Sequence, residues 1–200
     1  PNINIDVYDD YSITKKINLV PCYMSFEQFN QYEIKHNKEQ EADLKKMSRR
    51  AMYDDEFFHY YSGTRQTCNI IYDDESVKFT DDLSIYSPKM LQIQKNMKKY
   101  LDGDKPTGKI LLYSVYRNQG GSAAFEQILI ANDYEKYDYE NNNIEKLKSN
   151  GNKKKRYTFI SGDSSDNNEE NKNAFNDIEN NKDKYIHIII ISESGAEGIS

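Results

Sequence analysis

The residues of this chain best placed to do chemistry fall in three short polar stretches, each following directly on an apolar run. They are "SVYRNQGG" at 114–121, "SGDSS" at 161–165 and "SESGAEGIS" at 192–200. Loops at the ends of buried parallel strands are where open α/β sheets take their ligands. These three loops are therefore where a ligand is to be sought. For any single loop, ordinary turn chemistry accounts for Ser and Gly at a strand end. Other chemistry is poorly supplied. His36, His59 and His187 have no general-base partner or metal-ligand spacing nearby in sequence. Cys22 and Cys68 lie far apart and suit neither a zinc site nor a disulfide framework, which fits a reducing compartment. "TGKI" at 107–110 lacks the Gly-x-x-x-x-Gly-Lys-Ser/Thr of a phosphate-binding loop. "NKKKR" at 152–156 reads as a solvated charged loop.

The elements that position these loops are marked by periodicity and caps. Ser25 with Gln28 forms a capping-box pattern, and Phe26, Phe29 and Tyr32 follow at helical spacing, which predicts a helix over Phe26–Arg50. Its later half is nearly all charged, so it projects from the body or lies along the surface on a narrow apolar stripe. Ser87 as cap, Pro88 in the first turn and Gly103 as stop predict a second helix over Pro88–Leu101. From Gly108 onward, apolar strands alternate with helical stretches: strands over 109–115, 157–160 and 186–191, with "SAAFEQILIAND" and "NEENKNAFNDIEN" between them. That is β-α-β-α-β, hence a parallel sheet, and right-handed crossovers bring all three polar loops to one edge. Isoleucines 188–191 suit a strand covered on both faces. The stretch 134–156 is too polar to pack and reads as an inserted, partly mobile excursion.

Bulk properties narrow the class. The chain has 200 residues, 36% hydrophobic and 30% charged, enough for one core. A formal net charge of -6 means that any nucleic acid must be held by a local surface rather than by the chain as a whole. No apolar run approaches a spanning helix and the start carries no signal-peptide pattern, so no membrane partner is expected. The start at Pro1 and the stop inside a glycine loop suggest a piece of a longer protein.

In this order, "GKILLYSVYR", "FISGD" with "AFN", and "SESGAEGIS" resemble motif IV, the following strand-loop-helix, and motif V of the second RecA-like lobe of superfamily-two helicases. The resemblance covers about residues 84–200. "TRQTCNIIY" and "YSPKM" before it look most like the helicases and nucleoside triphosphatases of large cytoplasmic DNA viruses. The fold so implied is an α/β RecA-like sheet, partial and truncated at motif V, with residues 1–83 as a helical extension. A lobe that moves along a strand grips the backbone with hydroxyls and amides instead of reading bases. The resemblance puts Ser114, Tyr116, Arg117, Gly162, Asp163, Ser192 and Ser194 on the nucleic acid, DNA or RNA, and Glu197, Gly198 and Ser200 on the nucleotide between lobes. It implies ATP and Mg2+ as cofactors, held mainly by a first lobe preceding residue 1, and an arginine finger beyond residue 200. It further implies a role in viral transcription or replication, contact with viral transcription machinery, a cytoplasmic or virion location, and no hydrolysis by this segment alone. The alternative, from another class, is a non-catalytic α/β interaction domain in a viral assembly.

Overall fold

The computed structural model describes residues 4–7, 15–50, 61–71, 82–101, 108–117, 120–137, 139, 145, 147, 154–162 and 167–196. Its centre is a four-stranded sheet of β3 (Ile110–Ser114), β4 (Glu135–Lys136), β5 (Arg156–Ile160) and β6 (Ile188–Ser192), ordered β3-β6-β5-β4. Every pairing is parallel, with Ile188 opposite both Ile110 and Tyr157. The three strands expected from sequence are thus one parallel sheet in an α/β fold.

The strand latest in sequence occupies the interior position because its isoleucines fit there. Ile188 and Ile190 point into one core with Phe125, Ile128 and Leu129. Ile189 and Ile191 point into the opposite core with Phe175, Tyr185 and Tyr137. This is the period-two alternation of a strand buried on both faces. Each such side chain contributes about 1.5–3 kcal/mol of transfer free energy, so β6 anchors both cores at once. Helix α5 (Ser122–Ala131) covers the first face together with α4 (Pro88–Leu101), through Met90 and Met97. Helix α6 (Asn168–Asn176) covers the second through Ala174 and Phe175. β3 lies at the edge, and its Leu111 and Tyr113 are exposed.

A 3-10 turn at Ile178–Asp183 leads into β6, and Asn180 braces it. Its fully buried side chain donates to the Phe175 and Ile186 carbonyls at 3.0 and 3.1 Å and accepts from the Tyr185 and Ile186 amides at 2.9 and 2.8 Å. A single amide thereby satisfies four buried backbone groups, which would otherwise each carry a desolvation cost.

The N-terminal part holds α1 (Phe26–Arg50), α2 (Ser62–Thr67) and α3 (Leu83–Tyr86). It also holds an antiparallel pair, β1 (Asn4–Val7) with β2 (Lys15–Asn18), which sequence periodicity had not indicated within a helical extension. The capping box at α1 is half made. Ser25 Oγ accepts from the Gln28 amide at 2.9 Å, but the Gln28 side chain donates to the Thr67 carbonyl at 2.8 Å instead of folding back. The face turned inward is polar: Glu39 accepts from the Gly63 and Thr64 amides at 2.9 and 3.1 Å and so caps α2, and Asp43 is buried. Phe26 is 75% exposed and Phe29 46%, so the aromatics at helical spacing are not the seam.

The expected caps of α4 are present, with Ser87 Oγ accepting from the Met90 amide at 3.1 Å, while Gly103 lies outside the described residues. The stretch 134–156 departs from its reading as too polar to pack. Glu135 and Lys136 form β4, and Tyr137 and Leu147 enter the second core. Arg156 is buried, not solvated, its guanidinium paired with Glu135 at 3.1 Å. Strand pairing satisfies that backbone, and ion pairing makes burial of the arginine tolerable.

Candidate nucleic-acid interface

Parallel register lines up three serines across the carboxyl edge of the sheet. Ser114 is paired with Ser192, and Ser161 follows Ile160, which is paired with Ile191. The order β3-β6-β5 therefore reads Ser114, Ser192, Ser161 along the edge. Each is tied into the turn that follows it. Ser192 is 1% exposed, and its Oγ accepts from the Gly195 amide at 3.2 Å, capping α7 (Glu193–Ala196). The Ser161 amide donates to Asn168 Oδ1 at 3.2 Å and its carbonyl accepts from Asn168 Nδ2 at 2.6 Å, fixing the start of α6. Ser114 Oγ donates to the Tyr116 carbonyl at 2.9 Å.

The loop after β3 wraps onto itself before α5. The Tyr116 carbonyl also accepts from the Ser122 amide, and the Arg117 carbonyl accepts from Ala123, both at 2.8 Å. A Cβ on Gly121 would stand 1.9 Å from the Tyr116 oxygen, so only glycine permits this closure. Gly120 has φ +85, and its carbonyl accepts from Asn69 Nδ2 at 2.8 Å.

Asn69 joins the N-terminal segment to this loop. Its Oδ1 accepts from Lys89 Nζ at 2.8 Å, and its carbonyl accepts from Ser87 Oγ. The Arg65 guanidinium lies 5.9 Å from the centre of the Tyr116 ring, within cation-π range. Between α2, the start of α4, β3 and the glycine loop lies a cleft of about 460 Å³. Arg65, Lys89, Asn69, Ser114, Tyr116 and Ser122 are among its walls, and none of the described residues lining it is a carboxylate. Arg65, Asn69 and Lys89 were not singled out from sequence. "TRQTCNIIY" gave only a likeness, and no periodicity signals that a polar turn docks against a loop some fifty residues later.

Of the candidate contacts, Ser114, Tyr116, Arg117, Gly162 and Ser192 are described, and all lie on or just beyond the carboxyl ends of β3, β5 and β6. Ser194 lies in α7. Asp163, Glu197, Gly198 and Ser200 lie outside the described residues. Of the histidines, His187 receives the Arg156 amide on Nδ1 at 3.2 Å, and burial, then the charges of Lys155 and Arg156, push its imidazole down to about 4. It is thus a neutral acceptor that orders the start of β5. Magnesium takes an array of oxygen ligands, usually including carboxylates. Among the described residues no three His, Cys, Asp or Glu side chains converge to hold a metal ion. These residues do not fit the role of magnesium ligands.

Comparison with known proteins gives one relative. The chain is 30% identical over 155 residues to a protein of Acanthamoeba polyphaga mimivirus named "Putative ATP-dependent RNA helicase R563". The match covers 71% of this chain and 24% of that protein, so the chain spans about a quarter of its relative. No protein-family model matches, and no solved structure matches significantly. Among the described residues no helix is long and apolar enough to cross a membrane. The chain is α/β in fold and, over 71% of its length, similar in sequence to a section of that mimivirus protein.

Proposed function

We propose that this chain is part of the second motor lobe of an ATP-dependent nucleic-acid helicase or translocase that serves viral transcription or replication. The observation that carries the reading is the serine row. Ser114, Ser192 and Ser161 stand in register at the carboxyl ends of adjacent parallel strands, where an open α/β sheet receives its ligand. The mimivirus relative supports the same reading from sequence. In it, residues 84–200 belong to the lobe, residues 1–83 are an extension whose 61–71 stretch buttresses the glycine loop, and the strand runs along the edge formed by Ser114, Tyr116, Arg117, Gly162, Asp163, Ser192 and Ser194. Glu197, Gly198 and Ser200 face the nucleotide.

ATP supplies the driving free energy in this reading, and its magnesium is held by carboxylates outside this segment. The described residues bind and orient: hydroxyls cap turns whose amides face the backbone, and Asn69 holds the glycine loop. The test is ATP hydrolysis by the full-length protein with and without single-stranded nucleic acid. Hydrolysis stimulated by unrelated sequences upholds the reading. Absence of hydrolysis, or hydrolysis indifferent to the strand, overturns it.

A further inference from the structure

We infer that the cleft between α2, α4 and the glycine loop is a phosphate-binding subsite, which, resting on the motor-lobe reading, takes one phosphodiester of the bound strand through Lys89, Arg65 and the N-terminus of α5. Four observations converge. Helix α5 is ten residues long and begins at the cleft with Gly121 and Ser122; its Ser122 and Ala123 amides are taken by the Tyr116 and Arg117 carbonyls, so it is the helix dipole that favours an anion there. Ser122 is fully buried, lines the cleft and has no hydrogen-bond partner for its Oγ among the described residues. A buried hydroxyl left in that state calls for a partner, and a phosphate oxygen at the helix N-terminus is a strong acceptor.

The charges agree. In a chain of formal net charge -6, the described residues that line the cleft include two cations, Arg65 and Lys89, and no carboxylate. Lys89 is held in place by Asn69, and Arg65 is held over Tyr116, so both are positioned rather than free in solvent. The size agrees as well, since about 460 Å³ admits a phosphodiester with its sugar and leaves the Tyr116 ring for a base or ribose to pack on. Arg65 and Lys89 come from α2 and α4, outside the strand-end loops, so this subsite extends the grip sideways from the serine row.

The test is a fluorescence titration of this chain with two unrelated single strands over a range of salt, with thermal melting of every variant. Lys89→Gln and Arg65→Gln each weaken binding several-fold and lower the salt slope by about 0.7, the amount expected for one fewer phosphate neutralised on a single strand. Ser122→Ala weakens binding without changing the slope. Lys89→Arg restores the slope, and Lys95→Gln, an exposed lysine of α4 outside the cleft, leaves both unchanged. Folded Lys89→Gln and Arg65→Gln chains that keep the full slope overturn the subsite while the motor-lobe reading stands. If the unaltered chain binds no strand, that reading fails, and inorganic pyrophosphate decides the subsite. A rise in melting temperature that Lys89→Gln abolishes upholds an anion site, and no rise overturns it.

Discussion

Gly195 lies so close to the end of β5 that a Cβ built on it would stand 2.4 Å from the carbonyl oxygen of Ile160. The close approach lets α7 turn back over the carboxyl edge while its Gly195 amide donates to Ser192. Gly195→Ala must push the turn away from backbone that cannot yield. The expected loss is about 1–3 kcal/mol, the range for overpacking, measured by urea unfolding. Wild-type stability in this variant would show that the turn does not sit against β5.

Ser192→Ala separates two roles of one hydroxyl. Removing the Oγ that caps α7 costs about 0.5–1.5 kcal/mol of stability, because the Gly195 amide loses its acceptor. Although Ser192 ends a strand, it is only 1% exposed, so the lost bond is a buried one. On the motor-lobe reading, strand affinity also falls several-fold, equally on unrelated sequences, with an unchanged salt slope because no cation is lost. Titrations with two sequences at several salt concentrations, alongside melting curves, check both effects. Lower melting with intact affinity would confine Ser192 to the cap.

Asn180→Ala removes the brace of the turn before β6. Four buried backbone groups lose their partner together, and partial rearrangement or water entry recovers only some of the loss. The expected destabilisation is about 2–4 kcal/mol. Urea denaturation of the variant measures it, and a change under about 0.5 kcal/mol, the size of an ordinary surface substitution, contradicts the bracing role.

His187 makes stability depend on pH in a set direction. Its folded value, about 4, lies below the ordinary 6.5, so the folded chain holds the neutral ring and the unfolded chain binds the proton more readily. The contribution is fully present above about pH 6.5 and is lost as pH falls from there towards 4. Allowing for the partial exposure of the ring, it is on the order of 2 kcal/mol. His187→Gln should flatten the pH dependence of unfolding free energy across that window relative to wild type. Parallel curves for the two proteins would refute the assignment.

On the motor-lobe reading the chain by itself should not hydrolyse ATP, because the groups that hold the triphosphate and its magnesium would belong to the other lobe. Phosphate release is measured at increasing protein concentration. Turnover that scales with purified chain would overturn the expectation.

Elements with local signals were legible in the sequence. Helices α1 and α4 begin at Phe26 and Pro88, directly after the serines that cap them. β6 follows from four consecutive β-branched residues. What could not be read depends on partners distant in the chain. The aromatic stripe of α1 pointed to the wrong face because Gln28, Glu39 and Asp43 satisfy, or are satisfied by, polar groups of the 61–71 stretch. β4, two residues long, exists only because β5 offers it an edge. Asn69 and Asn180 are indistinguishable by type from the many other asparagines. For the candidate site, the three strand-end loops were legible as loops, whereas the cleft needed Arg65 and Lys89 to be brought to them by tertiary packing.

The interior position of β6 carries a consequence for how the molecule is made. During synthesis β3 and β5 leave the ribosome without the neighbour that joins them, because Ile188–Ser192 is translated after both. Until it arrives the two cores cannot close, and the apolar faces of Phe125, Ile128 and Phe175 have no strand to cover. Pairings between such distant segments form slowly, and a nascent chain waiting on them is open to aggregation. The run of four isoleucines is itself prone to cross-chain pairing once released. Closure of both cores therefore waits on the last strand to be made, and until then the edges of β3 and β5 that receive it are open to mispairing.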